Sequence, residues 1–241
     1  MKLRNLFSSF FLLGMMGIAL TSCSKDDEDD FSGGTHVDDK TIAILNENHV
    51  ETDAIRYRFQ DGHFECTDAN RPALLRNGNR TIFAKLKYKG KEYKVTKLAY
   101  QCLELTNLTS LKISNGITAI DYSAFERCTI LKSVSLPSSI TTIGHHAFDR
   151  CSQIESIKLP DHVKTVEHHL FINCGKLKQV TLPKDVVKME ECVFMYCKSL
   201  EKIIYPGTKA QWNKVAKDKD LYYNCNEKAV VVCSDGNIAI K

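Results

Sequence analysis

Residues 140–162 read ITTIGHHAFDRCSQIESIKLPDH. Three further 23-residue blocks carry the same residue classes in the same columns without a gap: ITAIDYSAFERCTILKSVSLPSS from Ile117, VKTVEHHLFINCGKLKQVTLPKD from Val163 and VVKMEECVFMYCKSLEKIIYPGT from Val186. The apolar columns are Ile117/Ile140/Val163/Val186, Ile120/Ile143/Val166/Met189, Phe125/Phe148/Phe171/Phe194, Leu131/Ile154/Leu177/Leu200 and Val134/Ile157/Val180/Ile203. Two more columns are invariant, Cys128/Cys151/Cys174/Cys197 and Pro137/Pro160/Pro183/Pro206. A unit this short cannot bury its apolar side alone, so successive units must stack into a solenoid.

Within one period, Leu131-x-x-Val134-x-Leu136 has the Leu-x-x-Leu-x-Leu spacing of a leucine-rich repeat. Alternation over Ser133–Leu136 predicts a short strand with Val134 and Leu136 inward, ended by Pro137, so each coil adds one rung to a parallel sheet. The return path starts at Ile140 and turns through Gly144 into His145-His146-Ala147-Phe148, where alternation stops. A short helical or 3-10 turn is expected there, with Phe148 filling the interior.

Upstream, Val95–Leu98 and Leu108–Ile113 follow the same scheme one residue short, a degenerate first coil. Before it, Ile55, Tyr57 and Phe59 alternate up to Asp61-Gly62, and Leu86 and Tyr88 face Tyr93 and Val95 across Lys89-Gly90, both favoured hairpin turns. Downstream, Thr208-Lys209-Ala210-Gln211 fits a capping box opening a helix that bears Trp212 and Val215. Val230–Val232, Asp235-Gly236 and Ile238–Ile240 read as a closing hairpin. Solenoids need such ends because a bare coil exposes apolar surface and unpaired strand edges. The expected fold is a mostly-β leucine-rich-repeat solenoid of short parallel strands. Its parts are a β-rich N-terminal cap (41–93), repeats (94–208) and a helix-plus-hairpin C-terminal cap (209–241).

The first 22 residues read as a secretory signal: Lys2 and Arg4 precede an apolar run from Leu6 to Leu20, broken by Ser8, Ser9, Gly14 and Gly17. That run is short for a membrane span of about 20 residues. Leu20-Thr21-Ser22-Cys23 resembles the lipobox of bacterial lipoproteins, which implies acyl chains on Cys23 and stable anchoring by more than one chain. Residues 23–40 then form an acidic tether with too little apolar content to fold, opening with Ser24-Lys25-Asp26-Asp27-Glu28. Acidic residues directly after the lipidated cysteine resemble an export signal to the outer face of the outer membrane in some Gram-negative anaerobes. A spacer facing the periplasm is the alternative, which would make the chain a structural or assembly lipoprotein there. The formal charge of +4 falls by two if the segment bearing Lys2 and Arg4 is removed, too little for a nucleic-acid footprint.

The pattern Ile-x-x-Ile-x-x-x-Ala-Phe-x-x-Cys-x-x-Leu-x-x-Val-x-Leu-Pro, over Lys94 to Thr208, resembles the BspA-type leucine-rich-repeat family of bacterial cell-surface proteins. Leu170 and Val193 depart from it where alanine is usual, as do Glu190 and Glu191 at the turn. The resemblance implies a non-enzymatic binding or adhesion module for a protein or glycan ligand, with no cofactor. It also implies recognition by the outward strand face: Ser110, Ser133, Ser156, Gln179 and Lys202 in one column, and Lys112, Ser135, Lys158, Thr181 and Ile204 in the other. This face carries no tryptophan, tyrosine or arginine, the residues that dominate interface hot spots, before Tyr205. Recognition at the C-terminal end, with Tyr222 and Tyr223, is the alternative.

Ten cysteines in an exported chain would ordinarily mean a disulfide framework. Four of them share one interior column, where a small buried apolar residue is needed and parallel side chains suit a bridge poorly. With Cys23 assigned to lipid, Cys66, Cys102, Cys192, Cys225 and Cys233 remain, and Cys225 with Cys233 is the candidate pair. His145-His146 and His168-His169 occupy identical repeat positions, continued by Glu190, Glu191 and Cys192, and should stack about 4.8 Å apart. Such a ladder could hold a metal, or serve only as a solvated turn. No Ser-His-Asp pattern, Gly-rich phosphate loop or Cys-x-x-Cys knuckle points to catalysis.

Overall fold

The computed structural model describes residues 43–46, 49–52, 55–69 and 78–240; the signal segment, Cys23 and the acidic tether lie outside them. Each coil carries two short rungs. The longer ones are Leu108–Ile113, Ser133–Ser135, Ser156–Lys158, Gln179–Thr181, Lys202–Ile204 and Val230–Cys233. A second series, Ala119–Ile120, Thr142–Ile143, Thr165–Val166, Lys188–Met189 and Ala216–Lys217, lies on the return path. The single-rung expectation is corrected here: Thr142 is exposed and Ile143 buried, a two-residue alternation too short to read as a strand. Rungs pair in parallel with like residues opposed, as in Ile143 with Ile120 and Val180 with both Ile157 and Ile203.

Neither series is continuous. One sheet contains Gly78–Ile82, Leu108–Ile113 and Ser133–Ser135, and another begins at Ser156–Lys158. The return rungs split in the same way between Thr142–Ile143 and Thr165–Val166. At the first split Val134 and Leu136 are only half-buried, whereas Ile157, Leu159, Val180 and Leu182 in the same columns are buried.

The turns, by contrast, join without a break. The N–H groups of Leu103 and Leu105 donate to the carbonyls of Ala124 and Glu126 in the next coil. Ser123, Phe125 and Arg127 donate to His145, Ala147 and Asp149; His146, Phe148 and Arg150 to His168, Leu170 and Ile172; and His169, Phe171 and Asn173 to Glu191, Val193 and Met195. Phe194 and Tyr196 close the series on Leu221 and Tyr223. The i to i−3 bonds of a 3-10 turn are present, for example Ala147 to Gly144 and Cys151 to Phe148. No helix forms from them because two residues per turn have positive φ: Ser123 and Arg127, His146 and Arg150, His169 and Asn173, Cys192 and Tyr196. The columns begin at Gln101 and Leu105 and end at Asp220 and Asn224, which marks six coils.

The last coil was not legible as a repeat. Its rung pairs Ala216 with Lys188, an offset of 28 residues instead of 23, because the helix Lys209–Lys214 is inserted before it. That helix has the expected capping box, Gln211 N donating to Thr208 Oγ1 and Thr208 N to Gln211 Oε1. Val230–Cys233 and Gly236–Ala239 form the expected hairpin.

Inside the coils, the Phe125, Phe148, Phe171 and Phe194 rings stack at 5.1, 5.7 and 5.9 Å, and Tyr222 extends the column at 6.1 Å. The cysteine column is more than small apolar filling. Cys128, Cys151, Cys174 and Cys197 donate their thiols at 3.0–3.2 Å to the carbonyls of Leu103, Phe125, Phe148 and Phe171, each one coil back. Cys225 does the same to Phe194. This replaces the Cys225–Cys233 pairing: Cys225 is the column member of the sixth coil, and it and Cys233 form no disulfide.

At the N-terminal side, Ile55–Gln60 and His63–Ala69 form a hairpin through Asp61 and Gly62, and Lys85–Tyr88 and Lys91–Leu98 another through Lys89 and Gly90. All four turn residues have positive φ, as a type I′ turn requires. Leu86 opposes Tyr93 as expected, but Tyr88 opposes Lys91, and Val95 instead opposes Phe64. The strand Gly78–Ile82, parallel to Leu108–Ile113, lacks the alternation that would have revealed it. No helix among the described residues is long and apolar enough to cross a membrane.

Two predictions follow from how closely the turns approach. A Cβ on Gly144 would lie 2.5 Å from the backbone nitrogen of Tyr122 and 2.8 Å from Asp121 C, neither of which can move alone. Gly144→Ala should therefore cost about 1–3 kcal/mol, seen as a lower Tm by circular dichroism, and an unchanged Tm would contradict the packing. Burial pushes the Cys151, Cys174 and Cys197 thiols up, leaving little reactive thiolate. Among these and the half-exposed Cys192, mass spectrometry after iodoacetamide treatment should find Cys192 labelled in the native protein and the column labelled only after unfolding.

Candidate functional site

The strand face is built as two patches, not one. Ser133 and Ser135 lie opposite Ser110 and Lys112, and Gln179 lies between Ser156 and Lys202, as Thr181 does between Lys158 and Ile204. Between the patches a cleft of about 310 Å³ opens, lined by Val134, Ser135, Leu136, Lys158, Leu159 and Pro160 among others. On the N-terminal side the face continues onto Asn79, whose Oδ1 accepts from Ser110 Oγ at 2.6 Å. Lys112, Ser133, Ser135, Ser156, Lys158 and Lys202 are exposed, while Ser110, Gln179 and Thr181 are half-buried. Tyr205 is not available to this face, being buried against Trp212 at 5.4 Å. Tyr222 belongs to the interior ring column, and only Tyr223 of that pair is exposed.

The aromatic surface missing from the strands lies along the turns. Tyr100 and Tyr122 are exposed and stack at 4.0 Å; Tyr122 stacks on His145 at 4.9 Å, and His145 on His168 at 4.5 Å. Tyr122 precedes His145 by one 23-residue period, so the column was present in the sequence but hidden by the change of residue type. Backbone ladder bonds fix these positions on both sides, Ser123 N to His145 O and His146 N to His168 O.

The four predicted histidines do stack, with His146 on His169 at 4.7 Å, but they do not converge as one set. His146, His168 and His169 each bring one ring nitrogen to within 4.8 Å of the others. His145 does not join that set and stacks between Tyr122 and His168. Glu190 turns to His168, its Oε2 3.2 Å from Nδ1, and with Glu167 makes a second grouping on the same ring. Glu191 and Cys192 enter neither group among the described residues. Burial would raise the Glu190 carboxyl, but hydrogen bonds from Lys188 and His168 hold it down to about 2. Burial, then repulsion from neighbouring imidazoles, pushes His145 and His169 down and favours their neutral form.

Among curated proteins none matches the chain. Solved structures do: a leucine-rich repeat protein of T. pallidum is 19% identical with a TM-score of 0.55, covering 70% of this chain and 80% of its own. A leucine-rich cell surface protein of Faecalibacterium prausnitzii is 22% identical with a TM-score of 0.57, covering 79% of this chain and 55% of its own. The pneumococcal vaccine antigen PcpA is 18% identical with a TM-score of 0.61, covering 78% and 50%. The chain thus spans about half the length of the latter two, and at these identities the likeness concerns the fold. A family model, the BspA type leucine-rich repeat region, matches in six copies over residues 96–228. These copies take in the sixth coil beyond Thr208 and cover more than half of the sequence, and the chain belongs to the BspA-type leucine-rich-repeat family.

Proposed function

We propose that this chain is a non-enzymatic binding module that holds a protein or glycan at the cell surface, tethered by lipid on Cys23 to the outer membrane. The observation that carries the reading is the exposed Tyr100–Tyr122 stack, two rings set 4.0 Å apart on the rigid turn edge and continued by His145. Tyrosine supplies large contact area at low entropic cost, and aromatic rings dominate interface hot spots. Leu105, also exposed, lies in the same coil as Tyr100 and adds apolar area. The strand face, with serines, a threonine, a glutamine and separated lysines, suits weaker polar contacts and acts as the rim of recognition rather than its centre.

In this reading the N-terminal hairpins and the C-terminal helix and hairpin cap the solenoid. Their contribution is to close the open ends that would otherwise expose strand edges. The acidic segment after Cys23 gives the domain reach from the membrane.

The test uses cells producing the full-length chain, with adhesion to immobilised matrix proteins and neighbouring cells measured beside protease shaving. Wild-type cells should adhere and release the protein on shaving; Cys23→Ala should lose both through failure to anchor. Tyr100→Ala with Tyr122→Ala should remain on the surface but bind at least about tenfold more weakly, the loss of a hot spot. Lys112→Glu with Lys158→Glu should lower binding less. Protection of the wild type from shaving would contradict surface display, and equal adhesion by the tyrosine variant would contradict the assigned surface.

A further inference from the structure

We propose that His146, His168 and His169 form a binding site for one zinc ion with an open fourth position. Three imidazoles from two adjacent coils converge there, with one nitrogen of each within 4.8 Å of the others. This inference does not depend on the adhesion reading, which rests on Tyr100 and Tyr122, although His168 also stacks on His145 at the end of that edge.

Two features separate the cluster from a stack of solvated turn residues, and a third, shared with the other turns, favours it. First, two of the rings are oriented by carboxylates. His146 Nδ1 lies 3.4 Å from Asp149 Oδ2 and His168 Nδ1 lies 3.2 Å from Glu190 Oε2. Metal-bound histidines characteristically give one nitrogen to a carboxylate and the other to the ion, and in both rings the carboxylate lies on the Nδ1 side. Second, polar atoms are held in the interior of this region without a hydrogen bond among the described residues: His169 Nδ1 and Asp149 Oδ1. Asp149 is a buried carboxylate only 4% exposed. Arg150 Nη1 shares its Oδ2 at 3.2 Å, so the pair moderates the negative charge without removing the acceptor from His146. Third, His146 and His169 stand at left-handed backbone positions, φ 55° and 57°, pinned by ladder bonds on the turn edge. A set of donors fixed by backbone geometry loses little conformational entropy when an ion arrives.

The geometry requires only side-chain adjustment. Zinc–nitrogen bonds of 2.0–2.1 Å in a tetrahedron place the donor atoms roughly 3.4 Å apart. The His146 and His169 rings are near-parallel at 4.7 Å, and His168 stands edge-on to both at 5.8 and 5.4 Å, so one of the two stacked rings turns out of its stack to bring three nitrogens onto one centre, a side-chain rotation that leaves the backbone in place. All-imidazole donors select zinc, nickel or copper over calcium or magnesium, and three histidines with a free position match zinc sites that retain a water or an exogenous ligand. The other grouping, Glu167, His168 and Glu190, is the poorer site because Lys188 Nζ already lies 3.1 Å from Glu190 and a cation would have to displace it.

The experiment is calorimetric titration of the untagged full-length chain with zinc chloride, paired with the visible spectrum of the cobalt(II) form. One ion should bind per chain, and cobalt should give the intense bands of a tetrahedral nitrogen and oxygen site. His168→Gln and His169→Asn should each weaken zinc at least about 100-fold, since losing even an outer-shell partner costs 10–100-fold. Asparagine tolerates the left-handed backbone at 169, and the melting curve of each variant without metal verifies that it folds. His145→Gln should stay within about threefold of wild type, because His145 belongs to the aromatic stack and not to the convergent set. Absence of stoichiometric binding, unchanged affinity in folded His168→Gln or His169→Asn, or thiolate-to-cobalt charge-transfer bands would each overturn the assignment.

Discussion

The backbone ladder along the turns is the interaction on which the rest of the molecule depends. Up to three N–H groups per turn donate to carbonyls of the next coil, and the series runs from Gln101 to Tyr223 through every coil. It is built at a cost, since each turn holds two residues at positive φ and, apart from glycine, such conformations cost on the order of 1–2 kcal/mol. Three net backbone hydrogen bonds at about 1 kcal/mol each roughly offset that strain. Burial of a phenylalanine in each of the four 23-residue coils, worth about 1.5–3 kcal/mol, decides the sign there. The side chains at these strained positions are then free to vary, which is why histidine, arginine, asparagine, cysteine and tyrosine all occur there.

The interior columns are consequences of that ladder. A turn repeated at 23 residues stacks each phenylalanine ring on the one before and brings each cysteine thiol to the carbonyl of the preceding phenylalanine or leucine. In the first coil threonine stands in this column, Thr106 against Cys128 with its hydroxyl 3.2 Å from the sulfur. The strands carry less of the fold. Both rung series part between neighbouring coils while the turns at those same junctions stay bonded. Solenoid stability is a sum of contacts between neighbours, so a junction can lose strand pairing provided its turn edge and ring column hold.

What the sequence disclosed follows from which physical signals repeat. Apolar columns recur with period 23, and the coil and its inward residues, the phenylalanines among them, are legible from them in the sequence. Positive φ leaves no such mark when the residue is histidine or arginine instead of glycine, so the strained turns stayed hidden. The sixth coil was obscured because the Lys209–Lys214 helix shifts its register, and with it went the true role of Cys225. Of the site residues, spacing alone foresaw the histidine stack. Its exclusion of His145 and recruitment of Asp149 depend on side-chain directions that periodicity does not specify. The aromatic edge was missed for a simpler reason: Tyr122 and His145 share a column but not a residue class.

Native-state hydrogen exchange measures the central claim directly, because it ranks each amide by the free energy of the opening that exposes it. If the turn edge is the spine, the amides of Phe125, Phe148 and Phe171 exchange only through openings near the global unfolding free energy. Those of Ser133–Ser135 and Ser156–Lys158, beside the split, exchange through smaller ones. Strand amides that outlast the phenylalanine amides would contradict the account and return the strands to the centre of the fold.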